Sequence, residues 1–504
     1  MSQTQTNTQI VSQPISLARH PLASPFRRAK IVCTIGPASR SAEVIGHLID
    51  EGMDVARLNF SHGSADDHRQ TVANVREQAH KRGRPVAILQ DLQGPKIRVG
   101  KIKPGTVLEA GTEFVLTTDE ILGDARRASI TYDGLPCDVQ PGNLLLLDDG
   151  LLQIEVLEVQ GNDVITRVLV GGPLSNNKGV NLPGVKVSAP SMSDKDRADL
   201  ILGQELGVDF LALSFVRSPS DILEAKAAIV EARSRIPDAQ SRPPTHIVAK
   251  IEKPEGVDRL HEILNVADGI MVARGDLGVE LGPEKVPLVQ KAAIQMANSQ
   301  AKLVITATQM LESMTTNARP TRAEASDVAN AIMDATDAVM LSAETASGRY
   351  PILAVRTMDR IVREVESSER YYRVMRDRDW PMIRVTSNAV AHAAVVAARL
   401  VEAPVIIAIS DSGGAARLIS EYRPEAQIVG VTSKRDVYNQ LAGYWGILPL
   451  LAPEADDEAT MIQRTVSMVA DRGLCRSGQM VILTMAIPFR SGRSTNTMQI
   501  HMVP

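Results

Sequence analysis

From residue 30 onward the chain repeats one rhythm: a short apolar run, a polar turn, then a segment with apolar residues three and four apart. The runs at 30–35, 54–60, 86–92, 210–216, 247–252, 269–274, 303–308 and 338–343 are apolar on both faces, as buried parallel strands are. Helical periodicity follows them at 42–50, 67–81, 195–206, 219–232, 255–266, 286–300, 322–334 and 352–364. Ser41 and the run Ser218-Pro219-Ser220-Asp221 supply start signals for two of these helices. The alternation predicts an α/β fold, a (β/α)8 TIM barrel. An open doubly wound sheet is the rival, but no Gly-x-Gly occurs, so the dinucleotide fingerprint is missing.

One unit is interrupted. Between about residues 95 and 191 the pattern becomes alternating runs broken by Asp133-Gly134, Asp149-Gly150, Gly161-Asn162 and Gly171-Gly172. Such pairs between alternating runs signal hairpins. An inserted small β-barrel domain is expected there, hanging as a lid over the C-terminal face of the barrel. After residue 370 comes a charged run, Arg376-Asp377-Arg378-Asp379, then helix and strand patterns at 389–401, 405–410, 415–421, 428–432, 436–442, 460–471, 480–485 and 497–502. These predict a separate open α/β domain. The expected division is a flexible tail over 1–28, a barrel from 29–94 and 192–369, a lid over 95–191 and a C-terminal regulatory domain over 370–504.

Composition narrows the partners. A length of 504 residues allows two to four domains, at about 150 residues each. Fifty-five basic against fifty-nine acidic residues leaves −4, and there are only two Trp, seven Tyr and six Phe. Neither the charge nor the aromatics suit a nucleic-acid binder. Cys33, Cys137 and Cys475 stand far apart, which fits a reducing compartment and no zinc site. The longest apolar runs, at 404–410 and 480–487, are too short to span a bilayer. The first thirty residues are rich in Ser, Thr and Gln and contain no acid, a composition shared by transit peptides and disordered tails; the tail is the reading adopted. A cytoplasmic location follows.

A TIM barrel places its working groups where its strands end. Here six strand ends carry polar groups: Arg57-Leu58-Asn59-Phe60-Ser61-His62, Asp91, Lys250-Ile251-Glu252, Arg274-Gly275-Asp276, Thr308-Gln309 and Ser342-Ala343-Glu344. Charges finishing apolar strands are costly unless they are paired, metal-bound or facing a wet cleft. Glu252 and Asp276 end neighbouring strands and supply two hard oxygen ligands suited to Mg²⁺ or Mn²⁺. Lys250 lies on the same side of its strand as Glu252, placing a cation beside the metal for an oxyanion or a transferring phosphoryl group. Arg57 adds a planar fork for phosphate. A short helix opening at Gly275 and Asp276 would present free N–H groups to a carboxylate. Together these describe a metal-assisted reaction on an anion bearing phosphate and carboxylate. They leave phosphoryl transfer and metal-dependent aldol chemistry both open.

The runs around these residues resemble the pyruvate kinase family. They are Asp54-Val55-Ala56-Arg57-Leu58-Asn59-Phe60-Ser61-His62-Gly63, Ile251-Glu252, Met271-Val272-Ala273-Arg274-Gly275-Asp276-Leu277-Gly278, Ala307-Thr308-Gln309-Met310-Leu311-Glu312-Ser313-Met314 and Pro320-Thr321-Arg322-Ala323-Glu324. The resemblance runs in order from about residue 29 to the C-terminus. It implies the reaction of phosphoenolpyruvate with ADP to give pyruvate and ATP, a cytoplasmic enzyme and a homotetramer. It also implies roles: Glu252 and Asp276 on the divalent metal, Lys250 on the transferring phosphoryl group and the enolate, and Arg57 on phosphate. Ala273, Arg274 and Gly275 would line the carboxylate pocket, with Thr308 beside the enolate and Ser342 and Glu344 in the network that delivers a proton. His62, Arg98 and Lys178 would lie on the nucleotide side, Lys178 coming from the lid. Two rivals remain: another metal-dependent barrel lyase or aldolase, and a silent metabolite sensor. The lid argues against the first, and retention of Lys250, Glu252, Asp276 and Thr308 argues against the second.

Two places depart from or refine the family pattern. Members that require K⁺ hold it near Asn59, Ser61, Asp91 and the carbonyl of Leu92, with a glutamate close by. Lys96 stands where that glutamate is expected, and Leu92 and Gln93 also resemble the K⁺-independent branch. K⁺ is therefore predicted not to be required. The C-terminal segment resembles the family's effector domain, and its loop Ser410-Asp411-Ser412-Gly413-Gly414 follows a strand and opens a helix, as a phosphate site would. A phosphorylated allosteric effector is expected, with fructose 1,6-bisphosphate disfavoured because Gly414 and Ala415 remove two possible donors.

Overall fold

A computed structural model describes residues 26–237, 239–378, 384–489 and 492–504. Residues 1–25 of the expected tail, and Asp379 of the charged run, lie outside the described residues. Eight parallel strands close into a barrel: Lys30–Ile35, Val55–Asn59, Ala87–Asp91, Phe210–Leu213, His246–Ile251, Gly269–Ala273, Leu303–Ala307 and Ala338–Leu341. They stand in sequence order, and Lys30 to Cys33 of the first pair with Ala338 to Leu341 of the last. The fifth, sixth and seventh observed strands stop one residue before Glu252, Arg274 and Thr308, the polar residues that ended the predicted ones, whereas the fourth stops at Leu213, three residues earlier than expected. Those three residues therefore sit just beyond their strands at the barrel mouth, while Asp91 is the last residue of its own strand.

The outer helices begin where the local chemistry says they should. Ser41 accepts the N–H of Val44 at the start of Ala42–Glu51, and Ser64, Ser193, Ser218 and Thr321 each form a capping box. Gly52 closes the first helix in the left-handed conformation, at φ 117°. The helix expected over 255–266 is instead two pieces, Pro254–Asp258 and Leu260–Val266. A Cβ on Gly256 would lie 2.5 Å from the carbonyl oxygen of Val216, so the first piece is pinned against that loop and the chain turns at Arg259.

The insert is built on a six-stranded sheet in the order Val180–Asn181, Leu144–Leu147, Leu152–Gln160, Asp163–Val170, Glu113–Thr117, Arg127–Ser129. The sheet is not a fully laddered barrel. Its two edges are stitched together by Arg98 and Val99, which bridge to Gly179 and Ile130. Gly161-Asn162 makes the expected two-residue hairpin. Asp133-Gly134 does not make a hairpin. It leads into a one-turn helix, Leu135–Asp138, because Pro136 suits a helix start and cannot donate to a ladder.

The C-terminal sheet runs Ile447–Leu451, Gln427–Thr432, Val405–Ile409, Met480–Met485, Thr497–Met502, with the last strand antiparallel. Strand Ile447–Leu451 was not foreseen because Pro449 interrupts its pattern; it lies at a sheet edge, where a missing N–H is tolerated. Helix Glu369–Arg376 was also missed, hidden by its charge, although Tyr371, Tyr372 and Met375 make a buried face.

The C-terminal sheet domain docks on the N-terminal end of the barrel through buried polar contacts. Arg423 and Asp337 form an ion pair at 2.7 Å with both side chains fully buried. Arg423 also donates to the carbonyl of Ala335, and Asp337 accepts the N–H of Val304. Lys30 reaches the carbonyl of Ile447 at 2.8 Å, and burial lowers its pKa to about 8. Removing one partner of a buried pair strands the other charge. Asp337→Asn should therefore lower the unfolding free energy by about 3–5 kcal/mol, read from urea denaturation. A change below about 1 kcal/mol, the scale of an exposed pair, would refute this account of the interface.

Candidate active site

Strand register assembles the mouth of the barrel. Thr34 pairs with Arg57, Asn59 with Asp91, Asp91 with Ala212, Lys250 with Met271, and Ala273 with Ala307. Residues predicted from separate strand ends thereby become neighbours. Arg57 donates from Nε to Asp91 Oδ2 at 2.6 Å and from a terminal nitrogen to Thr34 Oγ1 at 2.8 Å. The Lys250 ammonium sits 3.3 Å from Asp91 Oδ1 and 3.0 Å from Glu252 Oε1, and donates to Ser214 Oγ at 2.7 Å. Glu252 Oε2 accepts the N–H of Phe215 at 2.7 Å.

These groups are buried, and their protonation follows from who faces whom. Burial opposes the charge of Lys250, yet Asp91 and Glu252 outweigh it and push its pKa up. Burial likewise opposes the charge of Asp91, but Lys250 and Arg57 hold its carboxyl below the usual range. Glu252 moves the other way: burial pushes it up, Lys250 pulls against this, and the Asp276 carboxylate pushes it further. Glu252 thus feels the charge of a second carboxylate. Among the described residues no set of three or more His, Cys, Asp or Glu is gathered as a metal cage. Two hard oxygen donors that repel each other, with the remaining positions open, fit Mg²⁺ or Mn²⁺, which keeps water and substrate oxygens as ligands. Lys96 Nζ lies 3.6 Å from Asp276 Oδ1.

A second group forms where the sixth and seventh strands end. Helix Arg274–Leu281 starts immediately after its strand, as the Gly275-Asp276 run suggested. Arg274 binds the carbonyls of Ala307 and Thr308 and pairs with Asp327 at 2.6 Å. Thr308 Oγ1 accepts the N–H of Gly275 at 2.8 Å. Thr308 and Gln309 have φ of 66° and 54°; the left-handed conformation is strained for the β-branched Thr308, whose carbonyl and hydroxyl are held by these bonds. Glu344 is fully buried, and its two oxygens accept the N–H groups of Ser342 and Leu311. It shapes the turn under Ser342 rather than facing the mouth.

The remaining predicted residues stand apart. Among the described residues, Lys178 pairs with Asp148 at 2.7 Å and Arg98 binds the carbonyl of Asn177, both within the insert, while His62 is exposed. Asn59 Oδ1 is engaged by the N–H of Ser61 at 3.1 Å. Sequence reasoning missed Thr34 and Ser214. Each is a lone hydroxyl at the end of an apolar strand, the same signal that marked the other strand ends. In the C-terminal domain, Ser410, Ser412 and Gly414 line a cavity of about 240 Å³. Ser433, Arg493 and Thr495 line it too, from loops the sequence did not connect with it.

Two family models match the chain in the order of its domains. The model "Pyruvate kinase, barrel domain" matches residues 26–355, and "Pyruvate kinase, alpha/beta domain" matches 388–501. The chain belongs to the pyruvate kinase family. Its relatives include the pyruvate kinases of Geobacillus stearothermophilus, 44% identical over 95% of this chain and 80% of that one, and of Bacillus licheniformis, 44% identical over 95% and 81%. The crystal structure of a pyruvate kinase from Cryptosporidium parvum superposes with a TM-score of 0.86 at 38% identity, covering 95% of this chain and 96% of the other. The family reaction is this chain's: a divalent-metal-dependent phosphotransferase that converts phosphoenolpyruvate and ADP into pyruvate and ATP in glycolysis. Among the described residues no helix is long and apolar enough to cross a membrane.

Proposed function

We propose that phosphoryl transfer is run by the charged cluster at the barrel mouth, with Lys250 at its centre. The observation that carries this reading is the buried Lys250 ammonium, fixed between Asp91 and Glu252. Such a charge needs no reorganisation when negative charge develops beside it. Glu252 and Asp276 hold Mg²⁺ or Mn²⁺, which when bound supplies Lewis-acid neutralisation of phosphoryl oxygens. Arg57, oriented by Asp91 and Thr34, offers its remaining N–H groups to phosphate. Ala273, Arg274, Gly275 and Thr308 form the pocket for the substrate carboxylate. As the phosphoryl group passes to the β-phosphate of ADP, Lys250 stabilises the enolate oxygen left behind. Thr308 and Ser342 belong to the polar path that brings a proton to the methylene carbon, and Glu344 positions Ser342. His62, Arg98 and the lid's Lys178 serve the nucleotide.

K⁺ is not required, on this reading. Both oxygens of Asp91 are already taken by fixed cations, Arg57 and Lys250, and Asn59 Oδ1 is occupied by Ser61. Lys96 adds a further ammonium beside Asp276. The loop of Ser410, Asp411, Ser412, Gly413 and Gly414 binds a phosphorylated effector, with Arg493 as the cation the loop itself lacks. The division is a tail that ends before Arg27 and Arg28, which are anchored in the folded body, a barrel from there to 94 and over 192–369, a lid over 95–191 and a regulatory domain over 370–504. The protein works in the cytoplasm as a homotetramer; exposed Leu400, at the end of helix Thr386–Leu400, and Ile500 and Met502, on the edge strand, offer apolar surface for subunit contact.

Three measurements test these assignments. Lys250→Met should reduce pyruvate formation in a coupled assay by at least about 10²-fold with unchanged circular dichroism; a near wild-type rate overturns the central role of Lys250. In K⁺-free and Na⁺-free buffer with Mg²⁺, the rate should stay within about twofold of that with K⁺, a difference of less than 0.5 kcal/mol. Restoration of a negligible rate by K⁺ overturns that reading. At sub-saturating phosphoenolpyruvate, AMP or a sugar monophosphate should raise the rate, and Arg493→Ala should abolish the response. A flat response to all phosphorylated metabolites overturns the effector site.

A further inference from the structure

Glu280 joins three segments that meet beside the transfer site. It lies near the C-terminal end of helix Arg274–Leu281, the helix that carries Asp276. Its side chain is 1% exposed. A single oxygen, Oε1, accepts the amide of Asn181 at 2.8 Å and the ammonium of Lys253. Asn181 belongs to the edge strand Val180–Asn181 of the insert, three residues beyond Lys178. Lys253 follows Glu252 directly in the chain. The other oxygen of Glu280 is buried and has no hydrogen-bond partner.

The two donors differ in kind, and the difference matters. Lys253 neutralises the buried carboxylate from within the barrel, so that charge stays paired whatever the insert does. Asn181 is neutral, so withdrawing it breaks one charge-assisted hydrogen bond and strands no ion. Oε2 leaves a second acceptor for the amide when the insert shifts. Asn181 in turn pairs with Leu146, so its position is passed into the main sheet of the insert. A second tie, from Arg217 to the carbonyl of Ala189 at 2.7 Å, holds the chain where it leaves the insert. That tie grips backbone on the return path; Glu280 grips the strand that continues from Lys178.

We infer that Glu280 is a positioning residue: a releasable latch that sets the spacing between the lid and the metal-side carboxylates. This rests on the reading of the lid as the nucleotide side. The latch contributes to nucleotide binding and leaves the phosphoenolpyruvate pocket alone, because Asn181 touches neither Arg274 nor Thr308.

Asn181→Ala, Glu280→Gln and the double variant, made in the full chain, test it. Asn181→Ala should raise KM for ADP by about tenfold, the loss of one hydrogen bond to a charged group. KM for phosphoenolpyruvate and kcat should stay within about twofold, a shift of less than 0.5 kcal/mol. In the Glu280→Gln background, Asn181→Ala should cost less for ADP than it does alone, since the acceptor of the amide is then no longer charged. Backbone hydrogen exchange at residues 178–182 of the substrate-free enzyme should quicken in Asn181→Ala. Unchanged exchange, fully additive effects, or a shift confined to phosphoenolpyruvate overturns the latch. Quicker exchange with an unchanged KM for ADP supports the latch and overturns the nucleotide-side assignment of the lid instead.

Discussion

Charge cannot be buried alone, and the mouth of this barrel is arranged around that cost. Lys250 and Arg57 carry two positive charges into a nearly closed site, and Asp91 and Glu252 answer with two negative ones. Each member has a partner it cannot lose cheaply. Taking any one of them away leaves an unpaired ion in a poorly solvated place, at a cost of about 3–5 kcal/mol. A network closed in this way is rigid before any substrate arrives, and rigidity is what electrostatic catalysis needs. Asp276 is the member left over. Its nearest fixed cation, Lys96, is 3.6 Å away, and its charge reaches Glu252. The excess of carboxylate therefore lies beside Glu252, at the open side of the network.

The same rule works at the other end of the barrel with a different outcome. There Arg423 and Asp337 are paired with full burial, Arg28 donates to the carbonyl of Ala426, and Glu366 accepts the N–H groups of Arg28 and Ala29. These contacts fasten the C-terminal domain and face no open mouth, as suits the N-terminal face of a barrel, where stability rather than chemistry is served. The fifth strand connects both ends. Lys250 stands near its C-terminus, and His246 at its N-terminus meets Tyr444 Oη at 2.6 Å and Arg417 at 3.0 Å. Arg417 lies on Gly414–Glu421, the helix that the loop of Ser410 and Ser412 opens. One rigid strand thus touches the phosphate-side cluster and the helix of the C-terminal cavity.

Legibility in the sequence followed the range of the interaction. Barrel strands could be read because a strand buried on both faces is largely apolar, so polar groups gathered at its C-terminal end stand out; Asp91 and Thr308 were found in this way. Glu252 and Asp276 could be paired because neighbouring strands bring their ends together whatever the loops do. Ser214 and Thr34 carried the same signal as Thr308 and were passed over; what sets them apart is a charged partner from another strand, Lys250 and Arg57. Strand Ile447–Leu451 was hidden by Pro449, whose cost depends on whether a neighbour needs its N–H, a fact of sheet order. The contribution of Arg493 to the cavity beside Ser410 was invisible for the same reason. Role assignment went further than geometry alone could take it: the residues specified an anionic substrate and a metal, and kinship with the family supplied the reaction.

The place of the insert gives the site a second constraint. The segment that leaves the third strand must serve two structures within a few residues. Leu92 donates its N–H to the carbonyl of Ala212, and Gly94 donates to Asp196, so the start of the segment belongs to the barrel. Gly94 has φ 70°, and a Cβ there would lie 2.8 Å from that of Ser214, the hydroxyl that receives Lys250. Only four residues later, Arg98 and Val99 stitch the two edges of the inserted sheet. Lys96 lies between these anchors, one in the barrel and one in the lid. Any rotation of the insert about this connection is therefore transmitted to the ammonium beside Asp276 within a short length of chain. A K⁺ ion held by the barrel alone would not move with the lid. A lysine between the two anchors must, so the charge beside Asp276 is tied to the position of the domain above it.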